Sequence, residues 1–229
     1  MIRRLVYGKT KGLRLSILTH EGARIERIVT NLSPLELVPE GCHEIVLEGL
    51  IDPPISGVYT IYIEASRSPI IRFEDRLLPL RTIDQGRYLS APIKMCSDAL
   101  YRIEISYSCA EYGPIKRVDI LREDGVVEPI THHTYSPLSN TITLLGLPPK
   151  SRVIAKCIGI VASAQSDERG IASMTLPDAK PPLSICIEIE NREGTLSLGC
   201  LSDVWGGDVY QAMLSTKPFH RGGESHRAQ

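Results

Sequence analysis

Apolar and polar residues alternate along much of this chain with a period of two. That is the period of a pleated strand, whose successive side chains point to opposite faces. Tyr101-Arg102-Ile103-Glu104-Ile105-Ser106-Tyr107 is the cleanest run: Tyr and Ile define one face, Arg102 and Glu104 the other. Ile115-Lys116-Arg117-Val118-Asp119-Ile120-Leu121 alternates too and ends at the turn signal Glu123-Asp124-Gly125. Residues 13–18, 43–50 and 58–64 read as further strands, and 70–73 and 76–78 flank Glu74-Asp75 as the arms of a tight hairpin. Residues 21–29 form the best helical candidate, and it is short. After the turn-rich Ser136-Pro137-Leu138-Ser139-Asn140, a second series of strands is predicted over 141–145, 152–160, 170–175, 183–190, 195–201 and 208–214, with a hairpin turn at 166–172.

Composition supports the same class. There are 26 Ile and 12 Val against 12 Ala, with 18 Gly and 16 Pro to cut the chain into short elements. The fold class predicted is all-β: a larger β-sandwich over 1–137, a smaller one over 138–214, and a polar, disordered tail over 215–229. Only three Asn and four Gln occur, and Arg outnumbers Lys 18 to 8, which points to a thermophilic source.

Charge then removes partners. A net charge of −1 excludes a dedicated nucleic-acid binder, which needs a basic excess to displace counterions. No apolar run reaches the roughly 18 residues of a membrane span, and the basic start lacks the apolar core of a secretory leader. The expectation is synthesis in the cytoplasm, with a final location on a virion or cell surface.

The segment 12–137 resembles the lectin-like β-sandwich named after the fourteen-kilodalton fragment of a bacterial toxin protective antigen (the PA-fourteen domain). The residues that carry the likeness are Gly12-Leu13, then 48–60 with its Asp52-Pro53-Pro54 turn and Ser56-Gly57-Val58-Tyr59-Thr60, then 70–78, the Tyr-x-Ile-x-Ile-x-Tyr strand 101–107, and 126–130. Gly57 is expected to permit an unusual backbone angle, Pro53 and Pro54 to stop sheet growth, and Tyr59 and Tyr101 to fill the core. The resemblance implies a binding module found in adhesins, glycosidases and toxins. Sugar-binding adhesin members hold calcium with adjacent Asp residues just after the signature strand. This chain reads Glu64-Ala65-Ser66-Arg67-Ser68-Pro69 there, so calcium-dependent recognition of that kind is not expected. The second segment is similar to small immunoglobulin-like modules and those of carboxypeptidase regulatory regions, through 147–153 and 166–172.

Candidate chemistry is sparse. Three Cys fall in each half (Cys42, Cys96, Cys109; Cys157, Cys186, Cys200), none in a Cys-x-x-Cys pair. One disulfide per domain with leftover thiols is one reading. Buried free thiols are the other, favoured because Cys157 and Cys186 lie on apolar strands. His132-His133 suits a solvated or linker role better than a metal site. No nucleophile elbow, phosphate loop or zinc motif appears, so neither enzyme activity nor any cofactor or metal is predicted. The candidate ligand-binding residues are Trp205, Asp203 and Asp208, as an aromatic platform beside carboxylates, although packing at the sandwich end is the commoner role of a lone Trp. Glu74 and Asp75, the acidic pair nearest the missing calcium motif, complete the set, with turn formation as their expected duty. The function predicted is non-catalytic recognition of a glycan or of another protein. The alternatives are a structural or assembly subunit of a virion or surface appendage, which would form oligomers, and an accessory domain for a glycosidase.

Overall fold

Branched residues at alternate positions leave each strand one wide apolar face, and two such faces bury each other best as a sandwich. The computed structural model describes residues 1–32, 41–109, 115–157, 159–176, 180–191 and 194–214. Its described elements are β-strands and one 3₁₀ turn, Ile130–His133. Two units, each with its own core, emerge: Lys9–Leu138, and Met1–Gly8 together with the chain from Ser139 onward.

In the Lys9–Leu138 unit, one sheet runs Lys9–Lys11, Thr134–Pro137, Cys42–Ile51, Tyr101–Ser108, Ile70–Phe73, Arg76–Leu78, and Leu13–Thr19 also pairs Cys42–Ile51 and carries Arg24–Val29. The second runs Val127–Pro129, Arg117–Arg122, Gly57–Glu64, Arg87–Ser90, Leu80–Asp84, with Ile93–Met95 beside Gly57–Glu64. Ile17, Leu47, Ile103 and Ile105 of the first sheet share one core with Tyr59, Ile61, Ile63, Val118 and Ile120 of the second. Burying each such side chain is worth about 1.5–3 kcal/mol. The predicted alternation of 101–107 holds: Ile103, Ile105 and Tyr107 are buried, while Arg102 and Glu104 face outward.

Several expectations change. The helical candidate 21–29 is instead the strand Arg24–Val29, paired in register with Leu13–Thr19. Gly22 turns the chain at φ 83°, and Ile25, Ile28 and Val29 are branched residues beside an existing strand, so ladder pairing wins over a short helix. Gly57 lies within a strand, outside the left-handed region, and a side chain there would instead approach the Glu123 carboxylate at 3.2 Å. Leu80–Asp84, Arg87–Ser90 and Ile93–Met95 are strands beyond those anticipated.

In the other unit, Ile2–Val6, Val209–Ala212, Thr141–Leu145 and Ala172–Thr175 form one sheet, with Thr141–Leu145 parallel to Val209–Ala212. Ile160–Gln165, Arg152–Cys157, Leu183–Asn191 and Gly194–Val204 form the other. The core holds Ile142, Leu144, Val153, Ile185, Ile187, Ile189, Val204 and Tyr210. The first eight residues, grouped by sequence with the larger segment, pair here with Val209–Ala212. The predicted strand 152–160 breaks at Gly159, φ 79°, into two paired strands. The turn at 166–170 does not close a hairpin. It joins Ile160–Gln165 to Ala172–Thr175 of the opposite sheet. Asp167 accepts the amides of Ile171 and Arg169 there, which holds its carboxyl below the usual range. The tail prediction for 215–229 lies outside the described residues.

Cys42 joins Cys109 across 67 positions, and Cys186 joins Cys200, its cross-strand partner. Cys96 and Cys157 are free. The structure therefore takes the reading with one disulfide per unit. Cys186 sits on the outer face of its strand, between the buried Ile185 and Ile187, so the apolar neighbours that suggested a buried thiol belong to the opposite face.

Candidate functional site

The three residues proposed around Trp205 do come together, but inward. The chain turns at Trp205-Gly206-Gly207-Asp208, closed by the Asp208 amide donating to Trp205 O at 3.1 Å. Gly206 passes so close to the Ser139 carbonyl that a Cβ would lie 1.8 Å from it. This pulls Trp205 into the unit with 0% exposure. Its indole Nε1 donates to Asp203 Oδ1 at 2.9 Å. Asp208, also 0% exposed, accepts from the Gly8 amide at 2.6 Å, the Trp205 amide at 2.9 Å and the Tyr210 hydroxyl at 2.6 Å. Arg4 Nε lies 3.4 Å from Asp208 Oδ2, and Arg4 also donates to the carbonyls of Ser202 and Asp203. Burial and the bond to Asp208 push the Tyr210 phenol well above its usual range. With no exposed ring face, Trp205 cannot serve as a stacking platform in this arrangement. The cluster is a satisfied internal network.

Glu74 and Asp75 sit in the other unit, at the tip of the hairpin Ile70–Phe73/Arg76–Leu78. Both have positive φ, 50° and 62°, as a two-residue type I′ turn demands. Glu74 accepts the Arg102 amide at 2.5 Å and its own amide donates to Arg102 O at 3.0 Å. Asp75 pairs with Arg102 at 3.5 Å. Their carboxylates are thus engaged in holding the turn against the neighbouring strand. His133 Nε2 lies 2.9 Å from Glu128 Oε2, and its neighbour His132 is exposed.

A different cleft carries the unusual chemistry. It has a volume of about 260 Å³ and is lined by Asn31, Leu32, Lys116, Arg117, Val118, Asp119, Pro129 and Thr131. Asp119 stands opposite Tyr62 and Pro129 in the second sheet. Val118 and Ile120 on either side enter the core, so Asp119 points to the outer face. Yet it is only 2% exposed, because the cleft walls enclose it. Arg117 Nε approaches Asp119 Oδ2 at 2.5 Å as an ion pair, but no directed hydrogen bond reaches that oxygen among the described residues. Burial raises the Asp119 carboxyl above its usual range, and Arg117 draws it only partly back. An ionised carboxylate only accepts hydrogen bonds, and the Arg117 guanidinium at 2.5 Å is the donor this oxygen faces. The lining holds one carboxylate. Glycosidic hydrolysis ordinarily needs two, and calcium takes 6–8 oxygens.

Sequence reading passed over Asp119 because an outer-face strand position is ordinarily solvated. The available signal was the residue type: Asp is depleted in strands, and here it stands inside one, two positions from Arg117. Asn31 and Leu32 lie almost ninety positions away in the chain, beyond the reach of any local pattern.

No protein-family model matches the sequence, and comparison with curated proteins gave no match. Among solved structures, the Epithelial Adhesin 9 A domain from Candida glabrata, in complex with Galb1-3GlcNAc, is similar at 10% identity over 57% of this chain and 91% of that one, TM-score 0.45. An anti-sigma factor domain-containing protein from Clostridium clariflavum shows 12% identity over 86% and 100%, TM-score 0.44. The C2-II transport component of the Clostridium botulinum C2 toxin shows 10% over 86% and 65%, TM-score 0.41. At these values the likenesses assign this chain neither a family nor a ligand. No helix among the described residues is long and apolar enough to cross a membrane.

Proposed function

We propose that this protein is a non-catalytic binding module that takes a carbohydrate in the cleft around Asp119. The observation that carries the reading is Asp119, 2% exposed and ion-paired with Arg117 at 2.5 Å, in the wall of a cleft of about 260 Å³. Keeping such a charge out of water costs stability, and groups held at that cost cluster at functional sites. Sugar hydroxyls both donate and accept, which suits a cleft whose wall carries the Arg117–Asp119 pair and Thr131. The volume lies just under the roughly 300–1,000 Å³ of small-molecule sites, which suits one sugar ring rather than a buried oligosaccharide. A single lining carboxylate favours recognition over hydrolysis, and recognition without calcium. The test is a glycan array probed with the purified chain in calcium and in chelator. Saturable binding retained in chelator supports the reading, and a blank array at high protein concentration refutes it.

A second reading, assembly through strand pairing, is favoured by one feature. Gly194–Val204 is an edge strand whose first nine positions carry no charge, with Leu196 44% exposed. Uncharged edges of that length are templates for a further strand. Light scattering separates the two readings: defined oligomers without ligand favour assembly, and a monomer favours the binding module.

A further inference from the structure

One four-stranded sheet leaves both of its edges open. Its order is Ile160–Gln165, Arg152–Cys157, Leu183–Asn191, Gly194–Val204. Ile160–Gln165 carries no charged residue, and neither do the first nine positions of Gly194–Val204. Folded proteins usually guard an edge with a charge, a Pro or a very short strand. The other edge strands among the described residues follow that rule. Ile2–Val6, Lys9–Lys11, Arg24–Val29, Arg76–Leu78, Leu80–Asp84, Ile93–Met95 and Val127–Pro129 each carry a charge, and Ala172–Thr175 is only four residues long. We propose that the chain assembles head to tail with further copies of itself, Ile160–Gln165 of one copy adding as a strand to Gly194–Val204 of the next. This rests on the strand-pairing reading given above and names the partner strand.

Side chains at the two edges support the contact. Ile160 stands opposite Cys157 and Leu196 opposite Ile189, and both partners belong to the core. Residues paired across a ladder share a face, so Ile160 and Leu196 lie on the core side of the sheet. Yet they are 47% and 44% exposed, with no further strand beyond them among the described residues. An added strand would bury both and extend the core. Direction fits as well. All three ladders are antiparallel, so the two edges of the four strands run in opposite directions. A copy set alongside in the same orientation therefore continues the antiparallel alternation. Pairing Gly194–Val204 with its own counterpart about a twofold axis would also be antiparallel, but it would stop at two copies and leave Ile160–Gln165 open. A head-to-tail contact uses both edges, and repeats until a ring closes or a series runs on. The Cys186–Cys200 disulfide ties the Gly194–Val204 edge to the neighbouring strand, which keeps the template in place.

Sedimentation velocity of the whole chain at rising concentration makes the test, and species larger than a dimer are the expected result. Two variants, Ile160→Lys and Leu196→Lys, each place on one edge a lysine that an incoming strand would have to bury, while in a single copy its stem reaches water. Each variant alone should be monomeric, because every contact needs one edge of each kind. Mixed in equal amounts they should form a dimer and stop there. Ile160→Lys keeps a sound Gly194–Val204 edge, Leu196→Lys keeps a sound Ile160–Gln165 edge, and the remaining edges are blocked. Circular dichroism of each variant checks that the fold is kept. A wild type that stops at a dimer, or Ile160→Lys that still dimerises alone, overturns the head-to-tail order while the strand-pairing reading stands. Folded variants that assemble as the wild type does, or a mixture that stays monomeric, overturn the assignment to these two edges. A wild-type chain that remains monomeric up to millimolar concentration overturns both the inference and the strand-pairing reading.

Discussion

The backbone amide of Gly8 donates to Asp208 Oδ1 at 2.6 Å, although 200 positions separate the two residues. The same carboxylate holds the Trp205 amide and the Tyr210 hydroxyl. Asp208 thus fastens the first strand, the Trp205 turn and the last described strand to one point. A side chain at position 8 would collide with that turn, since a Cβ would stand 2.4 Å from Asp208 N and Gly206 O.

Removing Asp208 should therefore be among the most damaging changes in its unit. Asp208→Ala leaves two amides and a hydroxyl buried without their acceptor and removes one of the two carboxylates that Arg4 pairs with, a loss of about 3–5 kcal/mol. Asp208→Asn keeps an acceptor oxygen and should lose less. Urea denaturation of the two variants measures the difference.

Close approach gives a second expectation. Gly206→Ala puts a methyl group 1.8 Å from the Ser139 carbonyl, which forces backbone movement costing about 1–3 kcal/mol or more. Gly125→Ala, at a turn where a Cβ meets nothing within 4 Å, should lose less, through its φ of 86° alone. Thermal melts of both variants rank them.

The cysteines predict a pattern of reactivity. Cys96 is exposed and Cys157 buried. A thiol reagent should modify Cys96 alone in the native protein, and both in denaturant without reductant, as read by intact mass. Breaking the Cys42–Cys109 link, which spans 67 positions, should cost about 4 kcal/mol, against about 3 kcal/mol for Cys186–Cys200, which spans 14.

Strand identity was legible in the sequence where alternation was local, as at 101–107 and 115–121. What escaped it was set by distant partners. Ile2–Val6 has unremarkable local sequence, and its home is decided by Val209–Ala212 at the other end of the chain. Residues 21–29 carry apolar positions that fit a helix equally well, until Leu13–Thr19 supplies a ladder. Trp205, Asp203 and Asp208 lie close together in sequence and in space, but alternation cannot say whether a turn folds the ring inward. Gly206 against Ser139 decides that. The enclosed position of Asp119 was invisible for the same reason. Its burial depends on Asn31 and Leu32, whose approach no local pattern encodes.

Asp119 also carries a prediction about pH. Its folded carboxyl titrates above the ordinary range, so ionising it costs the native state stability. The stability linked to this group is fully present below the ordinary Asp value, near 3.9, and is lost as pH rises through the raised folded value. At neutral pH, Asp119→Asn should therefore melt higher than the wild type. The two should converge as pH falls and the wild-type carboxyl protonates. Melting curves across pH 3–8 check this.

The affinity of Asp119→Asn for whichever glycan the array identifies, measured beside its melting temperature at pH 7, decides whether this cleft binds the sugar. Opposite movements are expected: a higher melting temperature and an affinity at least tenfold lower, the loss of one charge-assisted hydrogen bond of about 1.5–3 kcal/mol at the cleft wall. An Asp119→Asn protein that keeps wild-type affinity would contradict this expectation, and would move the binding surface away from this cleft.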